Sequence, residues 1–175
     1  MSAYIRALVL LAVGCVLAWP IAPGRAHPHD RAVEDALFVG DFQTRVSAIA
    51  DHLKTEDSQD TQCELGAELG RIAWDNKDKL ELLSDDAIRA VASLIGAPRE
   101  GKVKCLTRSA ANFLQYVGPR AAFAVPALEK ALVEAEAAEA ERGKTPFRGW
   151  MNDQPLTDVI RAALEAIKSK APPGR

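Results

Sequence analysis

The sequence is poor in the residues and motifs on which catalysis and metal binding usually depend. It contains only three histidines, and none of them lies in a His-Glu-x-x-His pattern. No serine lies in a Gly-x-Ser-x-Gly pattern, and no glycine-rich phosphate-binding loop occurs. The i, i+4 pairs His52/Glu56 and Glu64/Glu68 are the nearest approach to a catalytic pair, but such pairs are more typical of solvated helix surfaces. We therefore expect no enzymatic activity and no cofactor.

Basic residues are too scattered for a typical nucleic-acid-binding protein. The chain has 22 Lys and Arg residues against 24 Asp and Glu residues, which gives a formal net charge of −2, and it has no Lys/Arg cluster. Nucleic-acid-binding domains and basic membrane-surface helices need such a cluster because they bind phosphates. We therefore expect no nucleic acid among the partners.

A long hydrophobic run occurs only near the beginning of the chain. Arg6 precedes thirteen uncharged, mostly apolar residues, Ala7–Trp19, and two prolines interrupt the run before residues 24–26. A basic residue, a short apolar segment and a small-residue end are typical of a cleavable signal peptide. Because spanning a bilayer takes about 20 apolar residues, a stable membrane span is the weaker interpretation.

This pattern predicts a signal peptide over residues 1–26 and a periplasmic or secreted mature protein. A lipoprotein anchor at Cys15 is a weaker alternative, because this cysteine lies inside the apolar run. Cleavage after residue 26 leaves 149 residues, enough for one domain with a hydrophobic core. We expect a single domain over residues 27–170 and a flexible tail over residues 171–175.

The remainder of the chain has the hydrophobic periodicity of helices. Apolar residues recur at spacings of three and four in five segments, and no alternating strand pattern competes with them. These stripes are Phe42/Val46/Ile49/Ala50/Leu53, Leu65/Leu69/Ile72/Ala73, Ala87/Ile88/Val91/Leu94/Ile95, Val103/Leu106/Ala110/Phe113/Leu114/Val117 and Leu156/Val159/Ile160/Ala163/Leu164/Ile167. The predicted fold class is all-α.

The clearest local signal is a helix-to-helix corner. Gly118 can adopt the left-handed conformation that closes a helix, and Pro119 cannot continue one, so a helix should end near Val117. Pro126 suits the start of a helix, where a missing N–H costs nothing, so a new helix should begin near Val125. We expect the two flanking helices to pack antiparallel.

This corner, Gly118–Leu132, resembles the conserved corner of HEAT-like helical repeats. An offset of 42 residues also places Cys63 over Cys105, a spacing that suits such repeats. The resemblance implies a short α-α superhelix of antiparallel helix pairs, an architecture whose usual work is to hold another protein. A third unit would align at a further offset of 53, with an insertion before its last helix. An irregular helical bundle is the alternative.

Cys63 and Cys105 are the cysteines that remain after export, and the outside compartment permits oxidation. Stacked helices usually hold equivalent Cα atoms beyond the roughly 7 Å limit for a disulfide. Gly66 and its small neighbours would bring the helices closer than usual, so a structural disulfide and two separate buried thiols both stay open. A catalytic thiol is disfavoured because no Cys-x-x-Cys motif occurs.

Residues 143–155 form the insertion and are the best candidate for a binding segment. They include Phe147, Arg148, Trp150 and Met151, residue types that are enriched in protein interfaces. Long loops of this kind often carry function. The alternative is that their apolar side chains cap the last repeat, and the two roles are compatible.

Two smaller features of the helices also bear on function. Asn112, Gln115 and Tyr116 lie on the polar side of the central helix and are candidates to line a binding face. Arg108 and Arg161 occupy matching positions at the offset of 53, which suggests an ion pair with a neighbouring acid.

Two functions from different classes follow. The first is a non-enzymatic adaptor or scaffold that binds a protein partner through its repeat surface and the segment from Phe147 to Met151. The second is a periplasmic protein that binds a small molecule or copper, because cleavage would leave His27 at the N-terminus with His29 close behind. Pro28 has no amide proton to lose and would block the usual three-residue copper chelate.

Overall fold

The computed structural model of the protein describes residues 40–98, 100, 104–142 and 154–169. These residues form six α-helices and two 3₁₀ helices without a strand among them, which confirms the predicted all-α class. The helices are α1 Phe42–Leu53, α2 Gln59–Asp75, the 3₁₀ helix Lys77–Leu82, α3 Asp85–Ala92, α4 Cys105–Val117, the 3₁₀ helix Gly118–Ala124, α5 Val125–Arg142 and α6 Leu156–Lys168. None of the helices within these ranges is long and apolar enough to cross a membrane.

Short polar side chains fix where the first three helices begin. Asp41 accepts a hydrogen bond from the backbone N–H of Thr44 at 2.9 Å, while Ser58 and Ser84 cap α2 and α3 in the same way. Such caps satisfy backbone donors that have no partner inside the helix. Ser84 therefore marks the start of α3.

Helices α2 and α4 lie side by side and run parallel. Cys63 faces Cys105, Gly66 faces Ser109, and the ring of Trp74 contacts that of Tyr116. The partners in these three contacts are 42 or 43 residues apart along the chain. The offset of 42 that the sequence suggested is therefore the register in which the two helices pack.

Helix α6 extends this layer on the other side of α4. The guanidinium of Arg108, near the start of α4, donates to the carbonyl of Gln154 just before α6 at 2.9 Å. Gly118, which follows α4, lies near the carbonyl of Ala166 at the end of α6. The starts of α4 and α6 thus lie together, as do their ends, so these two helices run parallel. With α2, they form one layer of parallel helices.

The helices that precede these three each run antiparallel to the one that follows. For α5 and α6, Glu136 pairs with Arg161 at 2.7 Å and Glu129 with Lys168 at 2.8 Å. For α3 and α4, the backbone N–H of Gly96, after α3, donates to the side chain of Thr107 near the start of α4. Helix α1 packs against both α2 and α3.

The hydrophobic core contains the apolar stripes that the sequence predicted. Its largest fully buried side chains come from five of the six helices and the segments joining them: Phe113, Ile49, Leu53, Leu65, Leu69, Ile72, Leu83, Ile88, Leu94, Leu106, Leu114 and Leu128. Helix α6 adds Ile160 and Ala163, which are also fully buried. Burial of this apolar surface is the main term that stabilises the packed helices.

The predicted corner is present, with one correction. Helix α4 ends at Val117, Gly118 has φ = +66°, and α5 begins at Val125, as predicted. However, the helices flanking the corner do not form the expected antiparallel pair: α5 packs mainly against α6, whereas α4 packs mainly against α2 and α6. The 3₁₀ segment between them is kinked at Ala121, whose backbone is not helical, and carries the chain from the end of α4 to the start of α5.

The first unit makes a similar corner without the glycine and proline. Helix α2 ends at Asp75 and is followed by the 3₁₀ helix Lys77–Leu82 and then α3. Asn76 terminates α2, and its side-chain amide donates to the carbonyl of Ile72 at 2.9 Å. The same succession of helix, 3₁₀ helix and helix therefore occurs twice, at nearly the same offset as the helix contacts.

Candidate interaction face

The outer face of the layer is the surface of α2, α4 and α6 that points away from the core. It combines aromatic rings, free amides and small residues. Trp74 of α2 is 57% exposed, whereas Asn112, Gln115 and Tyr116 of α4 are half-buried. This confirms that the three polar-side residues of α4 named from the sequence reach the surface together.

Trp74 and Tyr116 form a fixed aromatic pair at the last turns of α2 and α4. Their ring centroids are 5.8 Å apart and the planes meet at 73°, the edge-to-face geometry that aromatic rings favour. The ammonium group of Lys77 lies 5.1 Å from the Trp74 ring centroid and holds the ring further. The indole is therefore exposed, yet its position is held by two neighbours.

A notch opens beside this pair. A methyl group built on Gly70 would meet none of the described atoms of neighbouring helices within 4 Å, although one built on Gly66, one turn earlier, would lie 2.5 Å from Ser109. The helices are thus in close contact at Gly66 and separate at Gly70. The offset of 42 places Asn112 opposite the notch. The side-chain amides of Asn112 and Gln115 form no hydrogen bond with the described residues, so both are available to a ligand.

The close contact at Gly66 also explains the cysteines. Cys63 and Cys105 lie at disulfide distance with Cα atoms 4.9 Å apart, inside the range for a bridge. The small side chain at position 66, and the Ser109 opposite it, allow this unusually short approach. Of the two alternatives left open by the sequence, the structure therefore favours the disulfide.

Arg120 links the two corners. Its guanidinium donates to the carbonyls of Leu80, Glu81 and Leu83 at 3.1, 3.0 and 2.7 Å, and it pairs with Asp85 at 2.5 Å. These acceptors belong to the end of the first corner and the start of α3. The guanidinium of Arg120, in the second corner, thus holds the first corner in place, because a planar group with several donors can bind several acceptors at once.

The two arginines that matched at an offset of 53 have different roles. Arg161 forms the expected ion pairs, with Glu136 at 2.7 Å and Asp158 at 3.3 Å. Arg108 is half-buried and donates to a backbone carbonyl instead. Burial lowers the pKa of the Arg108 guanidinium, and the charge of Glu139 opposes that shift. Contacts between α4 and α6 occur at offsets of 46 and 48, so the third unit does not pack in the register of 53.

The His52/Glu56 pair belongs to the turn between α1 and α2. His52 Nε2 lies 3.0 Å from the buried carboxylate of Glu56, which also accepts from the backbone N–H of Ser58 at 2.7 Å. In the other pair named from the sequence, Glu64/Glu68, Glu68 forms ion pairs with Arg45 and Arg71. No group of three or more potential metal ligands occurs among the described residues.

The other predicted site residues lie outside the described residues. These are Phe147, Arg148, Trp150 and Met151 of the insertion, and His27 and His29 of the expected mature N-terminus. Gln154, the first described residue of the insertion, lies near its end and is held by Arg108 at the start of α4.

Trp74 is the residue of this face that the sequence reasoning missed as a site. It lies in the segment that takes the place of the glycine-proline corner in the first unit. The offset of 42 places Trp74 directly over Tyr116, and this alignment was the available signal.

Comparison of the chain with protein-family models, with characterised proteins and with solved structures finds no match. Functional inference for this chain therefore begins from the chemistry of the outer face.

Proposed function

We propose that the protein is an exported, non-enzymatic adaptor or scaffold of the HEAT-like repeat type. Its outer face and the segment that contains Phe147, Arg148, Trp150 and Met151 would together bind a protein partner. It performs no chemistry in this role and needs no cofactor.

The repeat assignment is supported by the helix pairs. Three antiparallel pairs, α1/α2, α3/α4 and α5/α6, each contribute their second helix to a single parallel layer. The contacts between α2 and α4 repeat at one sequence offset, and the chain passes from pair to pair through similar 3₁₀ corners. Stacking of this kind creates the extended surfaces that solenoid proteins use for binding.

The single observation that carries the binding proposal is the exposure of Trp74 beside Tyr116. Tryptophan and tyrosine dominate the energetics of protein interfaces because a large rigid ring buries much apolar area. Here the edge-to-face contact and Lys77 already restrict the indole, so Trp74 loses little side-chain entropy when a partner binds. The free amides of Asn112 and Gln115 provide hydrogen-bonding groups alongside.

Export is supported by the short apolar run in the sequence and by the cysteine pair. Disulfides persist in oxidising compartments and are rare where thiol reductants are abundant. Cys63 and Cys105 lie at bonding distance. A periplasmic or secreted location accounts for both observations.

The test is quantitative capture of partners by the tagged mature protein from its native envelope fraction. Trp74→Ala is the probe and Val133→Ala the matched control, because Val133 is 65% exposed on α5 and lies away from the outer face. We expect a protein that is enriched by the parent and by Val133→Ala and is lost with Trp74→Ala. Circular dichroism and thermal unfolding must first show that the three proteins fold alike.

Trp150→Ala in the same experiment separates the two parts of the proposed site. Loss of the partner with Trp150→Ala as well as Trp74→Ala supports a joint surface. Equal capture of the partner by the parent and all variants would contradict the proposal that the outer face binds it. A copper titration of correctly processed protein tests the alternative, because the adaptor predicts only weak, nonspecific binding at His27 and His29.

A further inference from the structure

The two cysteines of the disulfide occupy unequal positions. Cys105 is the first residue of α4, whereas Cys63 is the fifth residue of α2 and lies inside that helix. Cys105 is only 9% exposed, and Cys63 is exposed to an intermediate extent. Cys63 is thus the more exposed of the two residues, and Cys105 lies at the positive end of a helix.

This asymmetry defines which sulfur a thiol would attack. Exchange is faster when the attacked sulfur is accessible and when the departing thiolate has a low pKa. Cys105 lies at a helix N-terminus, where the positive end of the helix favours a departing thiolate, although the carboxylate of Glu100 already accepts from the backbone N–H of Thr107 in that turn. Lys104 and Arg108 add positive charge to the same turn. The carboxylate of the buried Glu100 lies 3.9 Å from the Lys104 ammonium. The other acid near the disulfide in sequence, Glu64 of α2, is exposed.

The disulfide is one of several contacts that hold the first turn of α4. Its N-cap, Lys104, provides no side-chain hydrogen bond. The backbone N–H and hydroxyl of Thr107 donate to the carboxylate of Glu100 at 2.8 and 2.6 Å. Without the disulfide, these bonds remain at the beginning of the helix, together with the bond from the backbone N–H of Gly96 to the Thr107 hydroxyl, the burial of Leu106 and the contact of Ser109 with Gly66.

We propose that the Cys63–Cys105 disulfide is a thiol-exchangeable lock on the first turn of α4. A low-molecular-weight thiolate attacks Sγ of Cys63, a mixed disulfide forms there, and Cys105 departs as a thiolate. A second thiol, as its thiolate, attacks the small molecule's sulfur in the mixed disulfide and releases the Cys63 thiolate. Two small thiols are oxidised to one small disulfide, and the protein disulfide is reduced to two thiols.

The structural consequence of reduction is local. The contact between Gly66 and Ser109 and the ring pair of Trp74 and Tyr116 do not depend on the sulfur bridge, so α2 and α4 stay packed. The start of α4 loosens, and with it Arg108, which holds the carbonyl before α6. The lock therefore acts on the junction between the helix pairs α3/α4 and α5/α6.

The direct test treats the oxidised mature protein with increasing glutathione, quenches with acid and maps adducts by mass spectrometry. We expect a reduction rate that is proportional to glutathione concentration and a first adduct on Cys63. A rate that becomes independent of glutathione would mean that unfolding precedes attack and would overturn the lock. A first adduct on Cys105 would overturn the assigned direction.

Two further measurements address the leaving group and the local response. Lys104→Gln should slow reduction about twofold, whereas the control Lys130→Gln, which makes the same charge change on α5 where the side chain is 80% exposed, should not. Hydrogen exchange at residues 104–108 should accelerate on reduction while exchange in α3, Asp85–Ala92, stays unchanged. Equal acceleration in both segments would show global unfolding and contradict a local lock.

Discussion

Gly66 of α2 and Ser109 of α4 are in such close contact that no side chain fits at Gly66. A methyl group there would lie 2.5 Å from Oγ and 3.1 Å from Cβ of Ser109, and 3.6 Å from the carbonyl oxygen of Cys105. The first two distances lie on the repulsive side of van der Waals contact, whereas the third is an ordinary contact. The absence of a side chain is therefore what sets the spacing of the first two units, and the disulfide forms within that spacing.

We expect Gly66→Ala to destabilise the protein by up to about 2 kcal/mol, because overpacking a tight core contact costs about 1–3 kcal/mol and the higher helix propensity of alanine offsets part of that cost. Ser109 is buried, so its hydroxyl has little room to move aside, and the helices must separate. Urea unfolding monitored by circular dichroism measures the change. The intrinsic gain of about 1 kcal/mol from replacing a helical glycine by alanine makes the observed loss smaller than the steric cost alone.

Gly70→Ala is the matched control for this experiment. It makes the same substitution four residues later, where the added methyl group meets no described atom of another helix within 4 Å. Its effect should be neutral or stabilising by up to about 1 kcal/mol. The double variant Gly66→Ala/Ser109→Ala should recover part of the loss by removing the closest atom. Equal effects of the two single substitutions would contradict the close contact.

Much of the fold was readable from the sequence because it depends on local rules. The apolar stripes gave the helices, and Gly118 and Pro126 located the ends of the corner to the residue. The offset of 42 gave the register of α2 against α4. The packing partner of α5 was not readable, because it depends on how far a 3₁₀ segment carries the chain, which no residue type specifies.

The candidate face was only partly predictable. Asn112, Gln115 and Tyr116 were identified because polar residues on an amphipathic helix face outwards. Trp74 was missed because tryptophan is more often buried, and its exposure follows from the three-dimensional arrangement of the helix ends. The contacts of Arg120 were also hidden, since its acceptors are backbone carbonyls about 40 residues away that carry no side-chain signal.

Arg120→Ala should destabilise the protein by about 1–3 kcal/mol. The substitution removes hydrogen bonds to three carbonyls, of which those of Leu80 and Leu83 are part-buried. We discount the ion pair with Asp85, because the arginine and aspartate side chains are 37% and 71% exposed. Thermal unfolding of the purified mature protein measures the effect.

Two further variants decide whether the carbonyls or the charge matter at this position. Arg120→Lys keeps the charge but cannot reach three carbonyls with one ammonium, so it should lose most of the stability that Arg120→Ala loses. Asp85→Asn should cost less than about 1 kcal/mol. Full stability in Arg120→Lys would show that charge alone holds the corners and would contradict the clamp.

Removal of the disulfide by the double variant Cys63→Ala/Cys105→Ala should cost about 2–4 kcal/mol. The bridge closes a loop of 42 residues, and its loss mainly increases the conformational freedom of the unfolded chain. Denaturant unfolding of the parent with and without dithiothreitol should show the same difference, while the double variant should not respond to the reductant. A response in the double variant would show that dithiothreitol acts elsewhere.

Glu100 gives the clearest pH dependence. Its carboxylate is fully buried, and desolvation raises its pKa, although hydrogen bonds from Thr107 and the charge of Lys104 oppose the shift. The folded state therefore holds the proton to a higher pH than the unfolded chain does. The contribution of Glu100 to stability is most favourable below the unfolded pKa and declines as the pH rises to the folded pKa, above which it stays constant.

Glu100→Gln tests this assignment because glutamine has nearly the same shape and cannot ionise. Its amide oxygen can still accept from the backbone N–H of Thr107, so α4 keeps its first-turn anchor. We expect the parent to lose stability relative to Glu100→Gln as the pH is raised from about 4 towards neutrality, since only the parent must bury a charge. Urea unfolding of both proteins at a series of pH values measures the difference. Parallel stability curves would mean that Glu100 titrates alike in the folded and unfolded chains, and a relative gain for the parent with rising pH would mean that its hydrogen bonds outweigh its desolvation.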